Sequence, residues 1–299
     1  MSALDEPMPA PRPPGRDRPD PGVSPMSGPG LVEDPAVSPP ASGPGLVADP
    51  ESGGGVWWGR PLAEPRCVLE LARLLVDPVF RGEGIPRGDG RAVILMPGFL
   101  AGDQTLVVIA AWLRRLGYRP HVCGFVANID CSDRAADRVD GRVSAVSRSS
   151  GGRVALIGHS RGGHYARAIA ARAPDRVSHA ISMGADLRGM LGISTPTKLA
   201  IAGVRHGLRV THRARSERCV SPQCACAFTE DYSRAFPSEL VRLTSIYSRE
   251  DGVVRWQNSI VPEADCVEVT GSHVGLAFNR KAYRAIADAL AAPELTAAG

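Results

Sequence analysis

Lysine is almost absent from this chain. Of its 35 lysine and arginine residues only Lys198 and Lys281 are lysines, and the arginines are interleaved with 31 acids, leaving a net charge of +4 at pH 7. Scattered bases without a patch or stripe argue against nucleic acid as a partner, which needs a concentrated positive surface. Long hydrophobic runs are missing too. No stretch reaches the roughly 18 apolar residues of a membrane span, so no integral membrane segment is expected. The N-terminus also lacks the positive start, apolar stretch and small-residue cleavage site of a secretory signal, which makes the cytoplasm the default location. Aromatic residues are few, at 5 %, and Trp57, Trp58, Trp112 and Trp256 read as packing residues. The spacing of a zinc site is absent as well. Seven cysteines are an odd number, and the close group Cys219, Cys224 and Cys226 has only His206 and His212 nearby. Reduced thiols or a local disulfide are the readings ahead of a metal.

Proline and glycine, by contrast, are unevenly abundant. More than half of the 26 prolines precede residue 51, and "SGPGLVEDP" (27–35) recurs as "SGPGLVADP" (42–50). Such a segment cannot bury enough apolar surface to offset its ordering entropy, so residues 1–55 are expected to be a disordered tail and 56–299 the folded domain. At 43 % apolar residues over 299 positions, one large domain has ample core.

From Arg91 the sequence alternates between two periods. "RAVILMPG" (91–98) is a short continuous apolar run, as a strand buried on both faces requires. "DQTLVVIAAWLRRLGY" (103–118) has helical spacing, with Asp103 as N-cap and Gly117 as stop. Strands over 119–125, 153–158, 176–184, 241–247 and 265–271 alternate with helices over 133–148, 161–174 and 279–292. This order predicts an α/β fold, a mostly parallel central sheet with helices on both faces, whose ligands bind at the carboxyl ends of the strands. The rhythm breaks at about 185–240. A structureless loop of that length is out of place in a compact domain, so the segment reads as a small helical cap insertion, the other reading being a mobile surface excursion.

"LIGHSRGG" (156–163) puts Ser160 between glycines at a strand-to-helix turn. A sharp turn there projects the hydroxyl beyond the sheet edge, and Gly158 and Gly162 remove side chains that would collide with the neighbouring chain. The next helix aims its first amides at the point where an oxyanion would develop. A serine needs a base and an orienting acid. "SREDGVV" offers Asp251 after one later strand, and "GSHVGLAFN" offers His273 after the next. Asp186, just past the strand ending at Gly184, and Glu250 are rival acids. His159, His164, His121 and His179 lie within or beside elements and read as residues that pack or face solvent, not as the base.

"MPGFLAGD", "IGHSRGG", "YSREDGVV" and "GSHVG" together resemble the α/β-hydrolase superfamily, most of all its bacterial esterases and lipases, over roughly residues 90–292. The resemblance implies a serine hydrolase acting on carboxylic esters or related acyl compounds, with Ser160, Asp251 and His273 as its triad and no metal or organic cofactor. It further implies that the amides of Phe99 and Arg161 form the oxyanion hole, both of which fall at the carboxyl ends of adjacent central strands. Thioesterases share the same triad. A reading of another class is a non-catalytic binding module on a hydrolase fold, with the Pro-rich tail as its docking element.

Overall fold

A computed structural model describes residues 57–190, 192–211 and 226–295, without the side chains of Pro61 and Leu62. The expected tail, Cys219, Cys224 and His212 lie outside the described residues. A 3₁₀ turn, Pro61–Arg66, leads into α1 (Cys67–Val76) and α2 (Pro78–Arg81). The alternation follows: β1 (Ala92–Met96), α3 (Val107–Leu116), β2 (Arg119–Val122), α4 (Ser132–Ser150), β3 (Val154–His159), α5 (Arg161–Arg172) and β4 (Val177–Met183). Between β4 and β5 (Arg242–Ser248) stand α6 (Thr195–Val210) and α7 (Ala227–Ser233); β6 (Asp265–Val269) and α8 (Arg280–Ala291) complete the order.

The six strands form one sheet in the order β2-β1-β3-β4-β5-β6, and every pairing is parallel. Alternate side chains of the central strands feed opposite cores. Ile94 and Met96 of β1 and Leu156 of β3 join Val139 and Val143 of α4, Ile169 of α5, and Phe228 and Tyr232 of α7. Val93, Leu95 and Ile157 join Trp112 and Leu116 of α3, Tyr283 and Ile286 of α8, and Leu74 of α1. Helices on both faces explain why β1 and most of β3 read as unbroken apolar runs: neither side of those strands faces water.

Two local expectations differ from the structure. Asp103 caps no helix; its Oδ2 instead accepts from the amides of Gly124 (2.6 Å) and Phe125 (3.1 Å), so the carboxylate fastens the chain leaving β2. Burial raises its pKa in spite of those two amides. Trp112 is fully buried, with its indole N–H donating to the Val79 carbonyl at 2.9 Å, but Trp58 is 62 % exposed and packs nothing like a core residue.

The two ends of the sheet differ in character. At the amino ends of the strands, Arg153 holds Glu294 (2.9 Å) and the Leu295 carbonyl (2.6 Å), Arg242 holds the Pro293 carbonyl (2.7 Å), and His179 the Ala292 carbonyl (3.1 Å). The chain after α8 is thereby laced across that edge. The carboxyl ends carry the loops that follow β1, β3, β5 and β6, where the candidate site lies.

Candidate active site

β3 runs straight into α5 with one residue between them, so the backbone must reverse within that residue. Ser160 takes up the whole turn at φ 53° and ψ −120°, a conformation rare for a residue with a side chain. Two hydrogen bonds hold it: its amide donates to the Met183 carbonyl (2.8 Å) and its carbonyl accepts from the Gly163 amide (2.8 Å). The turn is possible only without neighbouring side chains. A Cβ on Gly158 would overlap the backbone of Gly162, and one on Gly162 would overlap the Met96 carbonyl of the adjacent strand.

His273 sits past β6 and Asp251 past β5, and both are buried. His273 Nδ1 donates to Asp251 Oδ2 at 2.7 Å, while Asp251 Oδ1 accepts from the amides of Val253 and Val254, each at 2.8 Å. With one oxygen pinned by two amides, the carboxylate has a single orientation to offer the imidazole. Burial pulls the His273 pKa down, but the Asp251 charge and hydrogen bond, with a further contribution from Glu64, outweigh it and leave it raised. His159, the residue before the serine, contacts this pair. Its Nε2 donates to the His273 carbonyl (2.9 Å), and its ring rests 5.0 Å from the His273 ring. Desolvation, followed by the neighbouring imidazole, pushes His159 down to about 4, so it is neutral at pH 7. No hydrogen bond among the described residues joins the Ser160 hydroxyl to His273.

The rival acids are occupied elsewhere. Asp186 is fully buried and accepts from the amides of Arg188 (3.1 Å), Gly189 (2.9 Å) and Gly192 (2.5 Å), which holds a turn after β4. Glu250 pairs with Arg66 at 3.2 Å. Of the three acids, only Asp251 bonds to His273.

The loop after β1 passes beside the serine: a Cβ on Gly98 would lie 3.2 Å from Ser160 Cβ. The Phe99 amide, next in that loop, and the Arg161 amide, first in α5, donate to no acceptor among the described residues. Both are available to a developing negative charge. What shapes this loop is Asn128, which sequence reasoning passed over as a loop residue. Asn128 is 0 % exposed. Its Nδ2 donates to the Pro97 carbonyl (2.8 Å), its Oδ1 accepts from Tyr165 Oη (3.2 Å), and its amide donates to the Ala101 carbonyl (2.7 Å). Arg161 closes the network, its guanidinium donating to the carbonyls of Asn128 (2.9 Å) and Asp130 (2.6 Å). Glu64 and Glu70 were missed as well. They reach the His273 loop from more than 200 positions away, and nothing in "PLAEPRCVLE" signals it.

Among the described residues no group of three or more His, Cys, Asp or Glu side chains could hold a metal, and no helix is long and apolar enough to cross a membrane. Cys226 Sγ lies 3.5 Å from Thr229 Oγ1.

A family profile described as the alpha/beta hydrolase fold matches residues 122–202, the stretch that contains the serine turn. This is the α/β-hydrolase fold. No curated protein sequence matches the chain. Solved structures resemble it at low identity. The propeptide form of the Bacillus licheniformis lipase BlEst2 aligns with a TM-score of 0.50 and 12 % identity, covering 72 % of this chain and 54 % of that one. Its mature form gives 0.49 and 14 %, covering 72 % and 96 %. A monoacylglycerol lipase from Paleococcus ferrophilus gives 0.49 and 14 %, covering 69 % and 96 %. At 12 % identity the first of these likenesses speaks for the fold alone.

Proposed function

We propose that the protein is a serine hydrolase that cleaves carboxylic esters through an acyl-enzyme. The observation that carries this reading is the buried Asp251–His273 pair, 2.7 Å apart, at the same sheet edge as a serine held in a strained strand-to-helix turn. Ser160 Oγ attacks the ester carbonyl while His273 Nε2 takes its proton, and the Asp251 carboxylate stabilises the imidazolium that forms. Negative charge collects on the former carbonyl oxygen, where the Phe99 and Arg161 amides can donate to it. Collapse of that intermediate expels the alcohol, protonated by His273, and leaves the acyl group on Ser160. Water, deprotonated by the same imidazole, then releases the acid and restores the serine. Loss of one oxyanion donor in such a site costs about 10²–10³ in turnover. A small-molecule ester or acyl compound is the partner this chemistry needs.

The test is labelling with a fluorophosphonate probe, wild type beside Ser160→Ala, with p-nitrophenyl esters from acetate to palmitate as substrates. Labelling and hydrolysis that vanish in the variant support the reading. A folded wild type that neither labels nor hydrolyses overturns it and moves the binding-module reading forward.

A further inference from the structure

The loop that carries His273 is held by a part of the chain outside the sheet. After β6 the backbone turns so that the amides of Ser272, His273 and Val274 present three consecutive N–H groups. Such a run of amides forms a concavity that favours anions. Two carboxylates occupy it. Glu70 of α1 accepts from the Ser272 amide (3.0 Å) and from the Ser272 hydroxyl (2.9 Å). Glu64 of the preceding 3₁₀ turn accepts from the His273 amide (3.2 Å) and the Val274 amide (2.8 Å). The loop is shaped to admit them, since a Cβ on Gly275 would overlap the Glu70 carboxylate. The same segment also reaches the acid's loop. The Arg60 amide donates to the Gly252 carbonyl (3.1 Å), and Arg66 pairs with Glu250 (3.2 Å), on either side of Asp251.

We propose that Glu64 and Glu70 are positioning residues for His273, a two-carboxylate clamp through which residues 57–70 set where the base stands and what charge surrounds it. The inference rests on His273 serving as the base for Ser160. Hydrogen bonds to ionised acceptors are about twice as strong as neutral ones, and four of them converge on three residues of one loop. The His273 backbone cannot shift without breaking bonds to a carboxylate. The clamp also acts through charge. Three titratable side chains face the imidazole from different elements: Asp251 from the loop after β5, Glu64 from the 3₁₀ turn and His159 from the end of β3. Glu64 favours the imidazolium, neutral His159 does not oppose it at pH 7, and Glu70 faces the adjacent Ser272. A purely structural clamp would alter folding and leave the titration of the base where it was.

The experiment compares wild type, Glu64→Gln, Glu64→Asp and Glu70→Gln for kcat and kcat/KM on p-nitrophenyl acetate between about pH 5 and pH 9, with fluorophosphonate labelling of each. For Glu64→Gln we expect kcat to fall about 10-fold, as for a base displaced by a fraction of an ångström, and the acid limb of kcat/KM to move to lower pH. The limb moves that way because the imidazole loses a neighbouring negative charge and is neutral down to a lower pH. Glu64→Asp keeps the charge but not the reach, so its limb stays in place while kcat falls. Glu70→Gln lowers kcat at every pH with KM within about twofold of wild type. Ser272→Ala, which removes one bond to Glu70 and leaves both carboxylates, gives a smaller kcat loss and serves if a glutamine variant does not fold. Wild type that labels, beside folded variants with its kcat and its acid limb, overturns the clamp alone. Wild type that does not label overturns the nucleophile reading, and the catalytic role of the clamp with it.

Discussion

Asn128 offers the sharpest energetic test of the network around the loop that follows β1. In Asn128→Leu the side-chain volume is nearly kept, but Nδ2 and Oδ1 are gone. The Pro97 carbonyl loses its 2.8 Å donor and the Tyr165 hydroxyl its 3.2 Å acceptor, both at a site with no solvent exposure. A buried polar group left unpaired costs about 1–3 kcal/mol. Two of them give a destabilisation of about 2–6 kcal/mol, lowered somewhat by the apolar side chain that replaces the amide. Urea unfolding at pH 7 followed by circular dichroism measures it. The same variant should lose about 10-fold or more in kcat on p-nitrophenyl acetate, because the Phe99 amide sits in the loop that Asn128 no longer fixes. Tyr165→Phe removes one orphan at its source, so the double variant should be less destabilised than the sum of the two singles by more than about 0.5 kcal/mol. The Tyr165 ring contacts with Phe125 and Phe228 survive that change. A destabilisation below about 1 kcal/mol, or strict additivity in the double variant, would refute the argument.

Two further outcomes follow from the histidines and their partner. Asp251→Asn should leave the fold intact, since the amide oxygen can still accept from Val253 and Val254. Its NH₂ would then face His273 Nδ1 and favour the wrong tautomer, so kcat should fall by about 10³–10⁴; a loss under tenfold would remove Asp251 from the proposed triad. Stability should depend on pH through the buried neutral imidazoles. His159, His164 and His179 are each pushed down to about 4 from 6.5, desolvation being the largest cause. Below pH 6.5 the unfolded chain binds protons that the folded chain refuses, so their stabilisation is lost as pH falls from about 6.5 towards 4, by up to about 3 kcal/mol each. His273 runs the other way: its pKa is raised, so its contribution is present below the unfolded value and lost as pH rises through the folded one. Three groups against one predict a urea midpoint that drops between pH 7 and pH 4.5, more gently in His164→Phe. A midpoint that holds or rises on acidification would contradict this.

The alternation of periods carried the fold. Strands buried on both faces and amphipathic helices leave strong local patterns, and β1, β3 and α5 were legible to within a residue or two. The serine turn was legible for a related reason: its glycines answer a collision between adjacent backbones, which any strand-to-helix turn this tight must avoid. Asp251 and His273 were legible as residues after late strands, although Asp186 was separated from Asp251 only by their hydrogen-bond partners. Residues 57–90 carried little signal. Helix α1 leaves Val68, Leu69 and Val76 exposed, which blurs its amphipathic stripe, and α2 is a single turn. Glu64, Glu70 and Asn128 were illegible because their roles depend on tertiary contacts. A glutamate in a short turn and an asparagine in a loop look the same whether they face water or hold a buried amide.

The lacing of residues 292–295 across the amino ends of the strands has a practical consequence for handling the protein. A tether or fusion joined beyond Leu295 departs from the edge opposite the Ser160 turn. Attached to a bead or electrode by that end, the molecule would turn the loops that carry Ser160 and His273 outward into solution, and the linker would have the whole height of the sheet between itself and those loops.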